Sequence, residues 1–213
     1  MRLDFFNTAI CVFDYNYKQK NNLDWNKRTN SAIDNLFALP AVINQANVDD
    51  AQGGRALSTA HLHDTHKIPN ILNFKENPLG QWILLKIYES AVELGFDKTR
   101  NVKKFKYHRT WVNRMGKGCH AIAHRHAGKN WTIPHLVAIY YTDVPANSAD
   151  LVFIDDNDTD VMRGNSLEHY SENLQKKIIS ESRRLICHDA TALHATTKHL
   201  NDLSRTCIII EVG

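Results

Sequence analysis

Between residues 105 and 212 the chain breaks into short segments rich in β-branched and aromatic residues, separated by polar turns. They are Phe105 to Val112, Ile122 to His126, His135 to Thr142, Leu151 to Ile154, Arg184 to His188, Leu193 to Thr197 and Thr206 to Val212. Strands this short cannot bury an apolar face alone, so a run of them must stack or close, and the pattern predicts a sandwich or barrel. One stretch interrupts the series. From Asn165 to Ser182, Asn165 followed by Glu168 has the form of a capping box, and Leu167, Tyr170, Leu174 and Ile178 line one helical face, so an inserted helix is expected there.

Upstream the signal changes. Trp82, Leu85, Tyr88, Ala91 and Val92 recur at three- and four-residue spacing after Pro78 and stop at Gly95, which predicts an amphipathic helix over residues 79–94 with a glycine at its end. Residues 1–75 are the least legible, with short apolar pieces such as Ile10 to Phe13 and Leu36 to Val42 between polar stretches. At 213 residues the chain is expected to form one domain, a flanking region over 1–104 and a β-rich core over 105–213.

Apolar residues make up 43% and charged residues 23%, a globular profile that excludes a disordered or fibrous chain. No apolar run approaches the roughly 20 residues of a membrane-spanning helix, and Asp4 and Asn7 interrupt any leader-like core, so a cytoplasmic protein is expected. Cys11, Cys119, Cys187 and Cys207 are scattered without a C-x-x-C pair, which argues against a zinc ribbon or redox dithiol. A formal charge of +3 is too small to indicate a nucleic-acid partner.

The chemistry-bearing feature is the abundance of histidine, 12 residues in all. In the segment from Cys119 to Gly128, His120, His124 and His126 share the parity of a strand and would project from one face. His194 follows in a later strand-like segment, and Arg205 stands eleven residues beyond it, at the start of the last apolar run.

In this order and spacing, residues 105–213 resemble the Fe(II)/2-oxoglutarate-dependent oxygenases, in which H-x-D/E on one strand, a distal histidine and an arginine about ten residues further on form the site. The resemblance implies an α+β, mainly β architecture. It would be a double-stranded β-helix, or jelly-roll, with N-terminal flanking helices and the one inserted helix. It also implies Fe(II) and 2-oxoglutarate as cofactors, and molecular oxygen acting on a small-molecule or peptide substrate. His124 is similar to the family's first metal ligand and His194 to the distal one. Arg205 looks like the residue that pairs with the far carboxylate of 2-oxoglutarate, a task suited to a bidentate guanidinium. Tyr140 or Tyr141 resembles the tyrosine that supports that carboxylate. Trp111 and Asn113 look like residues of a strand lining the cosubstrate pocket, and Leu151 to Asp155 like the next core strand.

The carboxylate of the usual 2-His-1-carboxylate face is missing, and His126 stands in its place. Three readings follow. In the first, His124, His126 and His194 all hold iron and the enzyme hydroxylates an unactivated C–H bond. In the second, His126 is the first ligand and Gly128 the small residue of an H-x-G motif, with chloride filling the vacated position of a radical halogenase. In the third, the barrel has lost its metal and binds a ligand or partner without catalysis.

Other clusters are read as bland. His61, His63 and His66 are taken as a polar loop bordering the substrate pocket, Asp155, Asp156, Asp158 and Asp160 as a solvated turn, and Lys98, Arg100, Lys103, Lys104 and Lys106 as a solvated basic face.

Overall fold

A computed structural model describes residues 1–5, 8–16, 23–40, 56–60, 72, 76–96, 107–127, 135–155, 167 and 170–213. The elements in chain order are β1 (Arg2–Phe5), β2 (Thr8–Asp14), α1 (Trp25–Phe37), β3 (Ala56–Ser58), α2 (Pro78–Glu93), β4 (Tyr107–Met115), β5 (Leu136–Asp143), β6 (Leu151–Ile154), β7 (Gln175–Ile178), β8 (Arg184–Asp189), β9 (His194–Thr196) and β10 (Arg205–Val212). A larger sheet runs β1-β2-β8-β5-β10-β4-β3 and a smaller one β7-β6-β9, with every pairing antiparallel. From β4 onward the chain passes back and forth between the two sheets, which makes the core a double-stranded β-helix.

The central strands of the larger sheet are buried on both faces, so their sequences read as nearly unbroken apolar runs rather than alternating ones. Alternation still decides which layer each side chain joins. Leu136, Ala138 and Tyr140 of β5 and Ile208, Ile210 and Val212 of β10 pack on the outer face, against Ile83 and Ile87 of α2 and Ile33 of α1. Val137, Ile139 and Tyr141 with Cys207 and Ile209 point into the barrel, toward Leu151 and Phe153 of the smaller sheet.

The helices are held by local signals. Asp24 caps α1 by accepting from the Lys27 amide, and Asn26, Thr29, Ile33, Leu36 and Phe37 recur at helical spacing on its buried face. Asn26 and Asn30 both donate to the Thr142 carbonyl, tying α1 to the end of β5. Asn77 caps α2, Pro78 occupies its first turn, and the helix ends where Gly95 takes φ +82°, a conformation that glycine adopts without steric cost. Buried isoleucines such as Ile83 and Ile87 each contribute roughly 2 kcal/mol through removal of apolar surface from water. All four cysteines are buried and free, and burial pushes the Cys187 thiol up to about 12. No helix among the described residues is long and apolar enough to cross a membrane.

Two expectations are corrected. The insertion from Asn165 to Ser182 is not a helix over its described part. Glu172–Leu174 form one 3-10 turn, and Gln175–Ile178 are β7, paired with β6 so that Ile178 lies opposite Leu151. A spacing of four, as between Tyr170, Leu174 and Ile178, satisfies strand parity as well as the helical repeat, and the edge of β6 captured the segment. Ile122 to His126 is not a regular strand either. It contributes a single bridge, His124 opposite His194, inside an irregular run alongside β9. The N-terminal region, which carried no clear pattern, supplies β1, β2, β3 and α1. His61, His63, His66, Gly128, Asp156, Asp158, Asp160 and the basic run from Lys98 to Lys106 lie outside the described residues.

Candidate metal centre and cosubstrate pocket

The irregular segment before β5 is fastened to β9 by backbone bonds that set the positions of its histidines. The His124 amide donates to the His194 carbonyl at 2.9 Å and the His194 amide returns the bond at 3.1 Å. On one side the Ala121 amide donates to Thr196 Oγ1, and on the other the amides of His126 and Ala127 both donate to the Ala190 carbonyl. His124 and His194 are thereby held opposite each other, and His126 is delivered to the same space from two residues away.

The three rings converge. Centroids of His124 and His194 are 4.4 Å apart, those of His124 and His126 5.3 Å, and the rings of His126 and His194 lie parallel at 5.2 Å. Their ligand-capable nitrogens all fall within 4.8 Å of one another. Each Nδ1 is engaged from behind: that of His124 with the Ile122 carbonyl at 2.7 Å, that of His194 with the Ala192 carbonyl at 2.9 Å, and that of His126 with Glu211 Oε1 at 2.7 Å. Each acceptor requires a proton on Nδ1, so in the neutral rings the Nε2 lone pair is the one left for the cluster. His120, on the same sequence parity, stands outside the cluster.

A fourth imidazole lies beside them. His188 on β8 is fully buried, with its ring 4.7 Å from that of His194 and edge-on to Phe153. Its Nδ1 is bonded to the Asp189 carbonyl, and its Nε2 has no hydrogen-bond partner. Burial, reinforced by the charge of His126, pushes the His188 pKa down to about 3, and burial with the neighbouring imidazoles holds His194 well below the usual histidine range. Neutral imidazoles are the form that can ligate a metal.

The histidines form one part of the wall of a cavity of about 370 Å³ whose lining also includes Trp111, Asn113, Tyr141 and Arg205. Arg205 is 3% exposed, donates from Nη2 to the Tyr141 hydroxyl at 3.0 Å and reaches Met115 Sδ at 3.8 Å. Its Nε is buried without a hydrogen-bond partner, and it makes no ion pair with a carboxylate among the described residues. A guanidinium stays charged, so its burial is costly unless an anion joins it. Asn113 Oδ1 is a second buried polar atom without a partner in the same cavity. Trp111 forms a wall between the His126 ring, 5.7 Å away, and the Arg109 guanidinium stacked 4.5 Å from its own ring.

Of the tyrosine pair, Tyr141 lines the cavity and Tyr140 does not. Tyr140 faces the helices, donates to Asn26 Oδ1 at 2.9 Å and packs against Trp82, and this corrects its expected place beside the cosubstrate. Both hydroxyls are pushed above the ordinary tyrosine range by burial. Sequence reasoning passed over His188 and Glu211. An acidic residue inside the apolar run from Cys207 to Val212 was the available signal for the second.

The residues present fit a transition-metal ion of the kind that imidazole favours, and the buried Arg205 guanidinium in the same cavity fits an anionic group. No curated protein matches the sequence at a significant level. The sequence profile of a family described as "Putative 2OG-Fe(II) oxygenase" matches residues 109–211, from β4 through β10. Among solved structures the chain is similar to AviO1 from Streptomyces viridochromogenes Tue57, at 10% identity over 96% of this chain and 89% of that one with a TM-score of 0.60. It is similar to a prolyl-4-hydroxylase of Pseudomonas putida at 7% identity, covering 97% and 92% with a TM-score of 0.56. It also resembles HygX from Streptomyces hygroscopicus, solved with nickel and 2-oxoglutarate, at 11% identity, covering 97% and 83% with a TM-score of 0.54. At these identities the likeness is one of fold. The profile match over residues 109–211, the barrel and the three-imidazole cluster together make this chain similar to the 2-oxoglutarate- and iron(II)-dependent oxygenases.

Proposed function

We propose that this chain is a hydroxylase that uses Fe(II), 2-oxoglutarate and molecular oxygen to oxidise an unactivated C–H bond in a small molecule or a peptide side chain. The observation that carries the reading is Arg205, a buried cation with no carboxylate partner among the described residues, in the same cavity as three converging imidazoles. His124, His126 and His194 would hold the iron through their Nε2 atoms. When bound, the iron and its cosubstrate supply oxidising power that no side chain possesses.

The chain's own residues do the rest. Arg205 and Tyr141 present two donors to one carboxylate and fix its distance from the imidazoles. Asn113 lines the same cavity and leaves a buried acceptor, its Oδ1, open to a hydrogen-bond donor there. Trp111, Ile139 and Leu151 keep the cavity apolar and exclude water, which would otherwise consume the oxidant. Radical halogenation through His126 and Gly128 is the second reading. Hydroxylation is favoured because both His124 and His126 converge on His194, leaving three protein donors and no vacated position for chloride.

The test is an anaerobic titration of metal-free protein with Fe(II) and then 2-oxoglutarate, with and without chloride. A visible charge-transfer band indifferent to chloride supports hydroxylation with three protein donors. A band that moves with chloride transfers the reading to halogenation, and no band at all leaves a binding barrel.

A further inference from the structure

The hydrogen bonds behind the three imidazoles are not equivalent. His124 and His194 donate from Nδ1 to neutral backbone carbonyls, whereas His126 donates to a carboxylate. That carboxylate, Glu211, is only 3% exposed and stands near the end of β10 on the parity of Arg205, Cys207 and Ile209. Its second oxygen meets the partly exposed Arg109 guanidinium at 3.4 Å. A buried carboxylate is expensive, and this one faces the ring of His126, whereas no carboxylate stands among the three converging donors themselves.

We infer that Glu211 supplies, from behind His126, the negative charge that the metal would otherwise receive from a directly bound carboxylate. The anion is kept but moved outward by the width of one imidazole. A carboxylate accepting from Nδ1 raises the basicity of Nε2 on the same ring, so His126 becomes the strongest donor of the three. Glu211 is thus a positioning and charge-tuning residue rather than a ligand, and Arg109 opposes it by drawing part of the same charge away from the ring. The inference rests on the reading of His124, His126 and His194 as metal donors.

The experiment is a Co(II) titration of the metal-free full-length chain, followed by the visible d–d bands, on the wild type, Glu211→Gln, Arg109→Met and His194→Ala. Thermal unfolding of each metal-free form provides a check on folding. Glutamine keeps the size and the accepting oxygen of glutamate and removes only the charge. Glu211→Gln should therefore bind Co(II) about 10- to 100-fold more weakly with shifted bands, while Arg109→Met should bind more tightly than the wild type at low ionic strength. Two variants that remove opposite charges from one ion pair and move affinity in opposite directions cannot both act by loosening the fold. If the wild type shows no saturable binding, or His194→Ala binds equally well, the metal-site reading itself fails. If those two behave as expected and Glu211→Gln matches the wild type, only the role of Glu211 is overturned. Should Glu211→Gln not fold, Arg109→Met decides alone: tightening upholds the inference, and unchanged or weaker binding ends it.

Discussion

Arg205 and Tyr141 meet inside the barrel, the Nη2 of one donating to the hydroxyl of the other at 3.0 Å, with both side chains all but sealed from solvent. They come from neighbouring strands, and the register that sets Tyr141 opposite Cys207 leaves Arg205 to reach across the step in the pairing. A cation in this position without a carboxylate destabilises the empty protein and stabilises a bound dianion, so replacing it has effects of opposite sign on folding and on binding.

Arg205→Met should therefore leave the cosubstrate-free protein as stable as the wild type or more stable by about 1–3 kcal/mol, since an apolar chain replaces an unpaired buried charge. The same change should weaken 2-oxoglutarate binding by roughly a hundredfold, about 3 kcal/mol for a charge-assisted pair. Thermal unfolding with and without millimolar 2-oxoglutarate measures both. A ligand-induced rise in Tm equal to that of the wild type would remove Arg205 from the pocket's function.

Tyr141→Phe and Tyr140→Phe should separate cleanly although the residues are adjacent. Loss of the Tyr141 hydroxyl should weaken 2-oxoglutarate by about 1 kcal/mol. Loss of the Tyr140 hydroxyl should leave that affinity unchanged and cost about 1 kcal/mol of folding stability, because it strands Asn26 Oδ1 in the helix-facing core. Calorimetric titration and urea unfolding of the two variants read the two effects.

How much of this was legible beforehand depended on which forces set each position. The strands β5, β6, β8 and β10 declare themselves through apolar runs whose length and β-branched content leave little choice, and α2 through its spacing and its terminal Gly95. His124, His194 and Arg205, singled out by order and spacing, line one cavity. The tyrosine pair could not be resolved, because adjacent strand residues differ only by parity, and parity is fixed by the register with β10. The segment through Leu174 and Ile178 misled because its spacing fits two periodicities and a tertiary pairing chose between them. β1 gave no warning, being an edge strand with no buried residue, and β2, which lies between β1 and β8, showed only as the short apolar piece from Ile10 to Phe13.

The metal-free protein should be acid-sensitive in a defined window. His188 has a folded pKa of about 3 against an ordinary 6.5, so between those values the unfolded chain takes up a proton that the folded one refuses. Stability is then fully present above pH 6.5 and falls as pH drops, by about 1.4 kcal/mol per pH unit for one histidine. His188→Leu should flatten this dependence, leaving the share due to His194. Urea unfolding midpoints at pH 7.5, 6.0 and 5.0 measure the slopes, and equal slopes in the two proteins would contradict the assignment.

Metal should stabilise the fold by mass action, about 2.7 kcal/mol at a free ion concentration of a hundred times Kd. Chelation should reverse the effect. His194→Ala should show neither response, and a scanning calorimetry trace that still rises on addition of Co(II) would place the ion elsewhere.

The alternation along β5 and β10 has a consequence for how such a protein can diversify. Leu136, Ala138 and Tyr140 with Ile208, Ile210 and Val212 answer to the helices, while Ile139 and Tyr141 with Arg205, Cys207, Ile209 and Glu211 answer to whatever enters the barrel. Two vocabularies are interleaved letter by letter in the same strands. Substitution at the inward positions can therefore rewrite what the protein accepts while the helix-facing core goes untouched, and the limit on such change is set by Ile139, Tyr141, Cys207 and Ile209, which also pack with Leu151 and Phe153 between the two sheets.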